Sequence, residues 1–208
     1  MVGYRRMNPE RYFLFSTPVL ISQPVYSFSK AELNTIQKLK RAPRTPGEYS
    51  VDKYIFDNNK KKFKSIRDYC QRHIDYYAYE ILKITRETKF YITQSWANYN
   101  TKGDPHPQHS HPNSLISGIL FIQGRGATRF HRTHKPFALD FLHTHHHENN
   151  SESYFFDLTI GQLCVFPSTV AHSVMENKLD TTRITLSFNT FATGKFGEAD
   201  NCVCFLKL

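Results

Sequence analysis

From Lys89 onward the chain is written almost wholly in short apolar segments bounded by glycine, proline and polar turns. That pattern constrains the fold more than any other feature. KFYITQSWANYN, SLISGILFIQ, ATRFHRT, SYFFDLTIG, QLCVFPS and ITLSFNTFA each read as a strand, with Gly161 and the VMENKLDTT loop as punctuation. A long polar insertion containing HTHHHENNSES separates the third from the fourth. Antiparallel strands in that number, with histidines at their ends, describe a double-stranded β-helix, a jelly-roll barrel of the cupin-like kind.

The segment before Lys89 is of a different character. Residues 11–29 mix short apolar runs with prolines and read as edge strands, because proline cannot donate to a central ladder. Ser29-Lys30-Ala31-Glu32 fits a capping box, and Leu33, Ile36 and Leu39 give the helix after it an apolar stripe. RAPRTPG stops that helix. A second helix is expected over about 60–87, where Phe63, Ile66, Cys70, Ile74, Tyr77, Ile81 and Ile84 recur at three- and four-residue spacing. The fold class is therefore mainly β with α, a jelly-roll core with N-terminal helices packed on one face. At 208 residues the chain reads as one domain. Residues 1–88 form a supporting strand-and-helix part, 89–195 the core and 196–208 a tail.

Candidate ligands cluster between Trp96 and Phe121. His106, His109 and His111 fall within six residues, and two residues at i and i+2 on one strand face the same side, so His109 and His111 can aim two imidazoles at one point. A third candidate, His172, follows the strand QLCVFPS, and Arg183 stands eleven residues beyond it. Neutral imidazole suits iron, zinc, copper or nickel, and three such ligands leave coordination positions open. His106 is an alternative ligand or a group that orients one, and Asp104 is the nearest carboxylate. His143, His145, His146 and His147 form a separate cluster that reads as a solvated insertion or a second metal site.

Four runs then stand in order: Trp96-x-Asn98; His109-x-His111-Pro112-x-Ser114-x-x-Ser117-Gly118; Phe166-Pro167-Ser168-x-x-x-His172-x-Val174; and Arg183-x-x-x-Ser187-Phe188-Asn189. Together, over about residues 90–190, they resemble the iron(II)/2-oxoglutarate-dependent oxygenases. More narrowly they are similar to a prolyl-hydroxylase-like branch with an H-x-H-P motif found in bacteria and marine phages. The resemblance implies iron(II) held by His109, His111 and His172. It also implies 2-oxoglutarate bound with Arg183 on its far carboxylate, and oxygen used to hydroxylate a C–H bond with release of succinate and carbon dioxide. A guanidinium binds a carboxylate through two parallel hydrogen bonds, which lysine cannot reproduce. Thr185 shares the strand face of Arg183, and Asn98, Ser117 and Asn189 fall in the recurring motifs as further 2-oxoglutarate contacts or as supports for the ligands. Most of the superfamily has a carboxylate where His111 stands. An all-histidine triad gives up one negative charge beside the metal, which weakens divalent-ion binding. Two other readings of the histidines are a non-catalytic cupin-like metal module and a three-histidine dioxygenase that uses no 2-oxoglutarate.

The resemblance favours a protein side chain as primary substrate. The net charge of +9 keeps a nucleic acid or a small metabolite in view, since much of the excess lies in YRR, KLKRAPR and KKKFK. No apolar run approaches the roughly 18 residues needed to cross a bilayer. With no secretion signal, the four cysteines read as reduced thiols and the compartment as the cytoplasm, the host's if the gene is a phage's.

Overall fold

The computed structural model of the protein describes residues 10, 14–133, 139 and 141–197, with the backbone of 206–207. The Tyr4-Arg5-Arg6 run, Cys202, Cys204 and most of the tail from 196 lie outside the described residues. In chain order the elements are β1 (Leu20–Ile21), α1 (Lys30–Gln37), β2 (Arg41–Pro43), β3 (Glu48–Ser50), α2 (Ile55–Asn58) and α3 (Lys64–Tyr76). A π-helical turn over Tyr77–Ile81 continues α3. The strands β4 (Thr88–Asn100), β5 (His106–His109), β6 (Ile116–Gln123) and β7 (Gly126–His131) follow, then β8 (Ser153–Leu158), β9 (Leu163–Pro167), β10 (His172–Val174), β11 (Arg183–Phe196) and β12 (Leu206–Lys207). None of the helices is long and apolar enough to cross a membrane.

Two antiparallel sheets face each other as a jelly roll. The larger runs β1-β9-β6-β11-β4-β3-β2 with β12 on β11, and the smaller runs β5-β10-β7-β8. Helices cover the outer face of the large sheet. Ile36, Ile66, Cys70, Ile74 and Tyr77 pack there against Ala97, Tyr99, Leu120, Val165, Leu186 and Phe188. The inner face meets the small sheet through Ile119, Phe121, Phe130, Leu158, Cys164 and Phe166. A central strand covered on both sides has no polar face to present, which is why β6 reads as an apolar run over Gly118–Ile122. Cys70 and Cys164 are free and buried, and burial raises both thiols.

The capping box forms as the sequence suggests: Glu32 N donates to Ser29 Oγ (3.3 Å) and Ser29 N donates to Glu32 Oε2 (2.7 Å). The second helix is shorter than its periodicity implies, starting at Lys64 and widening into the π turn. That extra residue rotates Ile81 off the buried stripe, and it is exposed. RAPRTPG does more than stop α1, because β2 and β3 form a hairpin around it, with β3 paired on β4.

One residue decides which side of β4 serves the site. Phe90 and Ile92 point to the helices, and so do Ala97 and Tyr99. This change of parity comes from a bulge at Thr93, where Asn189 pairs with Gln94 but Thr190 pairs with Ile92. Thr93 Oγ1 donates to Asn189 O (3.2 Å) and pins the bulge. Gln94, Trp96, Asn98 and Asn100 are thereby turned inward.

Gly118 lies opposite Phe188 in the β6–β11 ladder, and a Cβ there would fall 2.1 Å from Phe188 Cζ. The ring is fully buried and has nowhere to retreat. Gly118→Ala is expected to destabilise the fold by about 2–3 kcal/mol through overpacking, measurable as a lowered denaturation midpoint. A change below about 0.5 kcal/mol would contradict this packing.

Candidate metal centre

The small sheet and its flanking loop bring three imidazoles together. His172 on β10 is the direct cross-strand partner of His109 on β5, and such partners share a face. His111 lies just past the end of β5, not on the strand itself, and its backbone N–H donates to Ser168 O (2.9 Å). The ring centroids of His109 and His172 are 4.2 Å apart, those of His109 and His111 5.1 Å, and those of His111 and His172 5.0 Å. One nitrogen from each lies within 4.8 Å of the other two. Among the described residues this is the one group of three or more His, Cys, Asp or Glu so gathered.

The other ring nitrogens fix the tautomers. His109 Nδ1 donates to Pro107 O (2.8 Å) and His172 Nδ1 to Val170 O (3.0 Å). A carbonyl can only accept, so each Nδ1 carries the hydrogen and each Nε2 a lone pair. His111 Nδ1 meets Ser117 Oγ at 2.7 Å. Ser117 Oγ also lies 2.9 Å from Asn189 Oδ1 and 2.7 Å from Ser168 Oγ, which is 2.7 Å from Ser114 Oγ. Thr190 N–H donates to Ser114 Oγ (3.2 Å). One consistent order satisfies the set: Ser114 donates to Ser168, Ser168 to Ser117 and Ser117 to Asn189, which leaves Ser117 to accept from His111. Burial lowers the pKa of all three imidazoles, to about 4 for His111 and about 3 for His172, so they stand neutral as metal ligands must.

A cavity of about 350 Å³ opens on the triad. Arg183, Thr185, Asn98, Trp96, Asn100, Ser187, Gln94 and His106 line it, with Arg44 and Lys53 at the side of the β2–β3 hairpin. Arg183 is fully buried. Its Nη1 donates to Met175 O (2.9 Å) and its Nη2 to Asp104 O (3.4 Å), while Nε has no partner. Burial lowers its pKa and the charge of Asp104 works the other way, yet among the described residues no carboxylate lies within salt-bridge distance of the guanidinium. Gly126 leaves room for it, since a Cβ there would sit 2.6 Å from Nη1.

Of the residues singled out in the sequence, His109, His111, His172, Arg183, Thr185 and Asn98 share this cavity. Asn98 Nδ2 donates to Ser187 Oγ (3.1 Å) and Thr185 Oγ1 (3.4 Å). Ser117 and Asn189 lie behind His111 and do not line the cavity. Trp96 does line it, edge-on to His111 with centroids 5.9 Å apart. His106 packs on His109 (4.2 Å) with Nε2 buried and unpartnered, outside the group of three donors. Arg44 and Lys53 carried no signal beyond a basic run before α2. In the His143–His147 stretch the rings pair at 5.6 Å and gather no third donor, and Arg132 holds the carbonyls of Glu148, Asn149 and Ser151.

The donor set and the unneutralised buried cation fit a divalent metal beside an anionic ligand. Fold and site together define a metal-binding double-stranded β-helix protein. Residues 94–189 match a family model described as "Putative 2OG-Fe(II) oxygenase", so this part of the core is similar to that family. No curated protein matches the chain. Among solved structures, a 2OG-Fe(II) oxygenase family oxidoreductase from Burkholderia pseudomallei aligns with TM-score 0.56 and 14% identity over 83% of each chain. HygX from Streptomyces hygroscopicus, with nickel and 2-oxoglutarate bound, aligns with TM-score 0.54 and 11% identity over 84% of this chain and 82% of that one. At such identities the likeness is one of fold.

Ser117→Ala removes the acceptor of His111 Nδ1–H and the donor to Asn189. Metal affinity is expected to fall roughly 10- to 100-fold while the fold persists, read from competitive iron(II) titration alongside circular dichroism. Unchanged affinity would show that His111 keeps its orientation without the serine.

Proposed function

We propose that the protein is an iron(II)- and 2-oxoglutarate-dependent hydroxylase in which His109, His111 and His172 hold the metal and Arg183 anchors the far carboxylate of 2-oxoglutarate. The observation that carries this reading is the buried Arg183 with an unpartnered Nε and, among the described residues, no carboxylate paired with it, in the same cavity as three imidazoles that each offer one nitrogen to a common point. A buried guanidinium is costly unless something anionic meets it, and a cupin-like metal module without a cosubstrate has no use for one. When bound, iron(II) and 2-oxoglutarate supply the oxidation, giving succinate and carbon dioxide as oxygen enters the substrate.

The chain's own residues bind, orient and exclude water. Met175 O and Asp104 O fix the guanidinium plane, and Asn98 holds the hydroxyls of Thr185 and Ser187 as further contacts for the cosubstrate. Ser117 and Asn189 serve His111 in place of touching 2-oxoglutarate. Residues 14–88 act as support for the core, the exception being the β2–β3 hairpin and Lys53, which reach the cavity. A cavity of this size suits a small molecule or one side chain of a peptide beside the cosubstrate.

The test is an anaerobic titration of the iron(II)-loaded protein with 2-oxoglutarate, followed through the visible charge-transfer absorption of bidentate chelation. Its appearance supports the assignment. Iron binding with no such band would shift the reading to a three-histidine site that uses no 2-oxoglutarate.

A further inference from the structure

The cavity holds more positive charge than 2-oxoglutarate can neutralise. Among the described residues its lining contains Arg183, Arg44 and Lys53 and no carboxylate. A triad of neutral histidines also leaves the full charge of a divalent ion in place, and the cosubstrate brings only two negative charges. We propose, resting on the function above, that Arg44 and Lys53 are specificity residues for a primary substrate bearing an acidic group, carboxylate or phosphate, presented to the open side of the metal.

Both side chains sit on a built support. Arg44 begins the turn between β2 and β3, closed by Arg44 N–H to Gly47 O (2.7 Å). Gly47 has φ +83°, and a Cβ there would lie 2.9 Å from both Tyr99 O and Asn100 Nδ2. The turn is therefore pressed against the cavity end of β4 in a way only glycine permits. Lys53 is tied to β4 by Ser95 N–H to Lys53 O (2.8 Å). Its Nζ donates to Ser50 O (3.0 Å) and stands 3.4 Å over the Tyr49 ring. Ser50 in turn accepts from Ala97 N–H (3.0 Å).

Neither cation has a carboxylate partner among the described residues, unlike Arg41 with Glu48 or Arg67 with Asp57 on the same part of the surface. Arg44 lines the same cavity as His106, His109 and His111. It also helps burial draw Lys53 down to about 8. Two cations left unpaired side by side repel each other, and an anion between them relieves that repulsion. His106 Nε2, buried and unpartnered beside them, offers one more polar contact.

Trp96 is the only tryptophan in the chain and lines the cavity, so its fluorescence reports occupancy. The protein loaded anaerobically with iron(II) and 2-oxoglutarate is titrated with N-acetylaspartate, inorganic phosphate and a capped Gly-Gly-Asp-Gly-Gly peptide. N-acetylasparaginamide and the Asn peptide serve as neutral counterparts. An acid is expected to bind at least about tenfold tighter than its amide, as charge-assisted hydrogen bonds allow. That preference should be lost in the Arg44→Gln/Lys53→Gln double variant, whose 2-oxoglutarate affinity stays within about threefold of the parent. The free acid or the peptide assigns the source by whichever binds tighter.

Equal response to acid and amide overturns the proposal, and so does a preference that survives in the double variant. Loss of 2-oxoglutarate binding in the double variant without any acid preference gives both cations to the cosubstrate and also overturns it. If the parent itself binds no 2-oxoglutarate, the function above fails alone, and the acid–amide comparison decides this proposal on the iron(II) protein.

Discussion

Arg183→Gln is expected to lower the affinity of the iron(II)-loaded protein for 2-oxoglutarate by about 100-fold or more, the scale of losing one partner of a buried, hydrogen-bonded charge pair. Iron(II) affinity should not change, because Arg183 touches none of the three imidazoles. The fold should not suffer either. Among the described residues no carboxylate pairs directly with the buried Arg183, which is held by two carbonyls, so a shorter neutral amide relieves desolvation in the unliganded protein. The thermal midpoint is expected to stay level or rise while cosubstrate binding collapses. A fall in both would mean that the guanidinium is structural. Gly126→Ala is the milder companion, since its methyl group displaces Nη1 and should cost about tenfold in 2-oxoglutarate affinity with the charge still present.

His172→Ala is expected to reduce iron(II) affinity by more than about 100-fold, because outer partners of a ligand are already worth roughly 10- to 100-fold. His172 is the triad member most enclosed, packed against Phe166 (4.7 Å) and Phe130 (6.2 Å) and buried on its own strand. Its removal therefore opens a space, and His172→Gln, which keeps more of the volume, separates loss of a ligand from loss of packing. Iron(II) titration and circular dichroism on both variants are the measurements. Retention of metal by both would mean that His109 and His111 recruit another donor, with His106 the nearest.

The longer strands of the core were legible because alternation and turn residues mark them whatever their partners, whereas the short β5 and β10 were not. His109 and His172 were legible as candidates for one site because two imidazoles near strand ends imply a meeting point. What joined them was not. The pairing of His172 with His109 spans 63 positions of sequence, and no local pattern carries a register over that distance. The expectation that His109 and His111 share one strand was right about convergence and wrong about cause. The strand stops at His109, and His111 is aimed by its backbone bond to Ser168 and its ring bond to Ser117. Ser114, Ser117 and Ser168 stand in the recurring motifs, and Ser117 reads as a 2-oxoglutarate contact or a support for the ligands, but nothing local in the sequence shows that the three hydroxyls bond to one another. The β2–β3 hairpin was hidden because proline and glycine announce an interruption and say nothing of what the chain does next. Arg44 and Lys53 went unnoticed with it.

The bulge at Thr93 works as a phase shift in a two-state code. Upstream of it even-numbered side chains of β4 belong to the scaffold, and downstream they belong to the chemistry. Losing that one residue would not damage the strand locally so much as exchange its two sides, sending the indole of Trp96 and the amide of Asn98 into an apolar layer and Tyr99 into the cavity. Insertions and deletions in this family of folds therefore carry very unequal consequences. Loops such as the one between β7 and β8 can change length without moving a ligand, whereas β4 tolerates none between its two halves. Anyone transplanting this site onto another sheet would have to carry the irregularity along with the residues it serves.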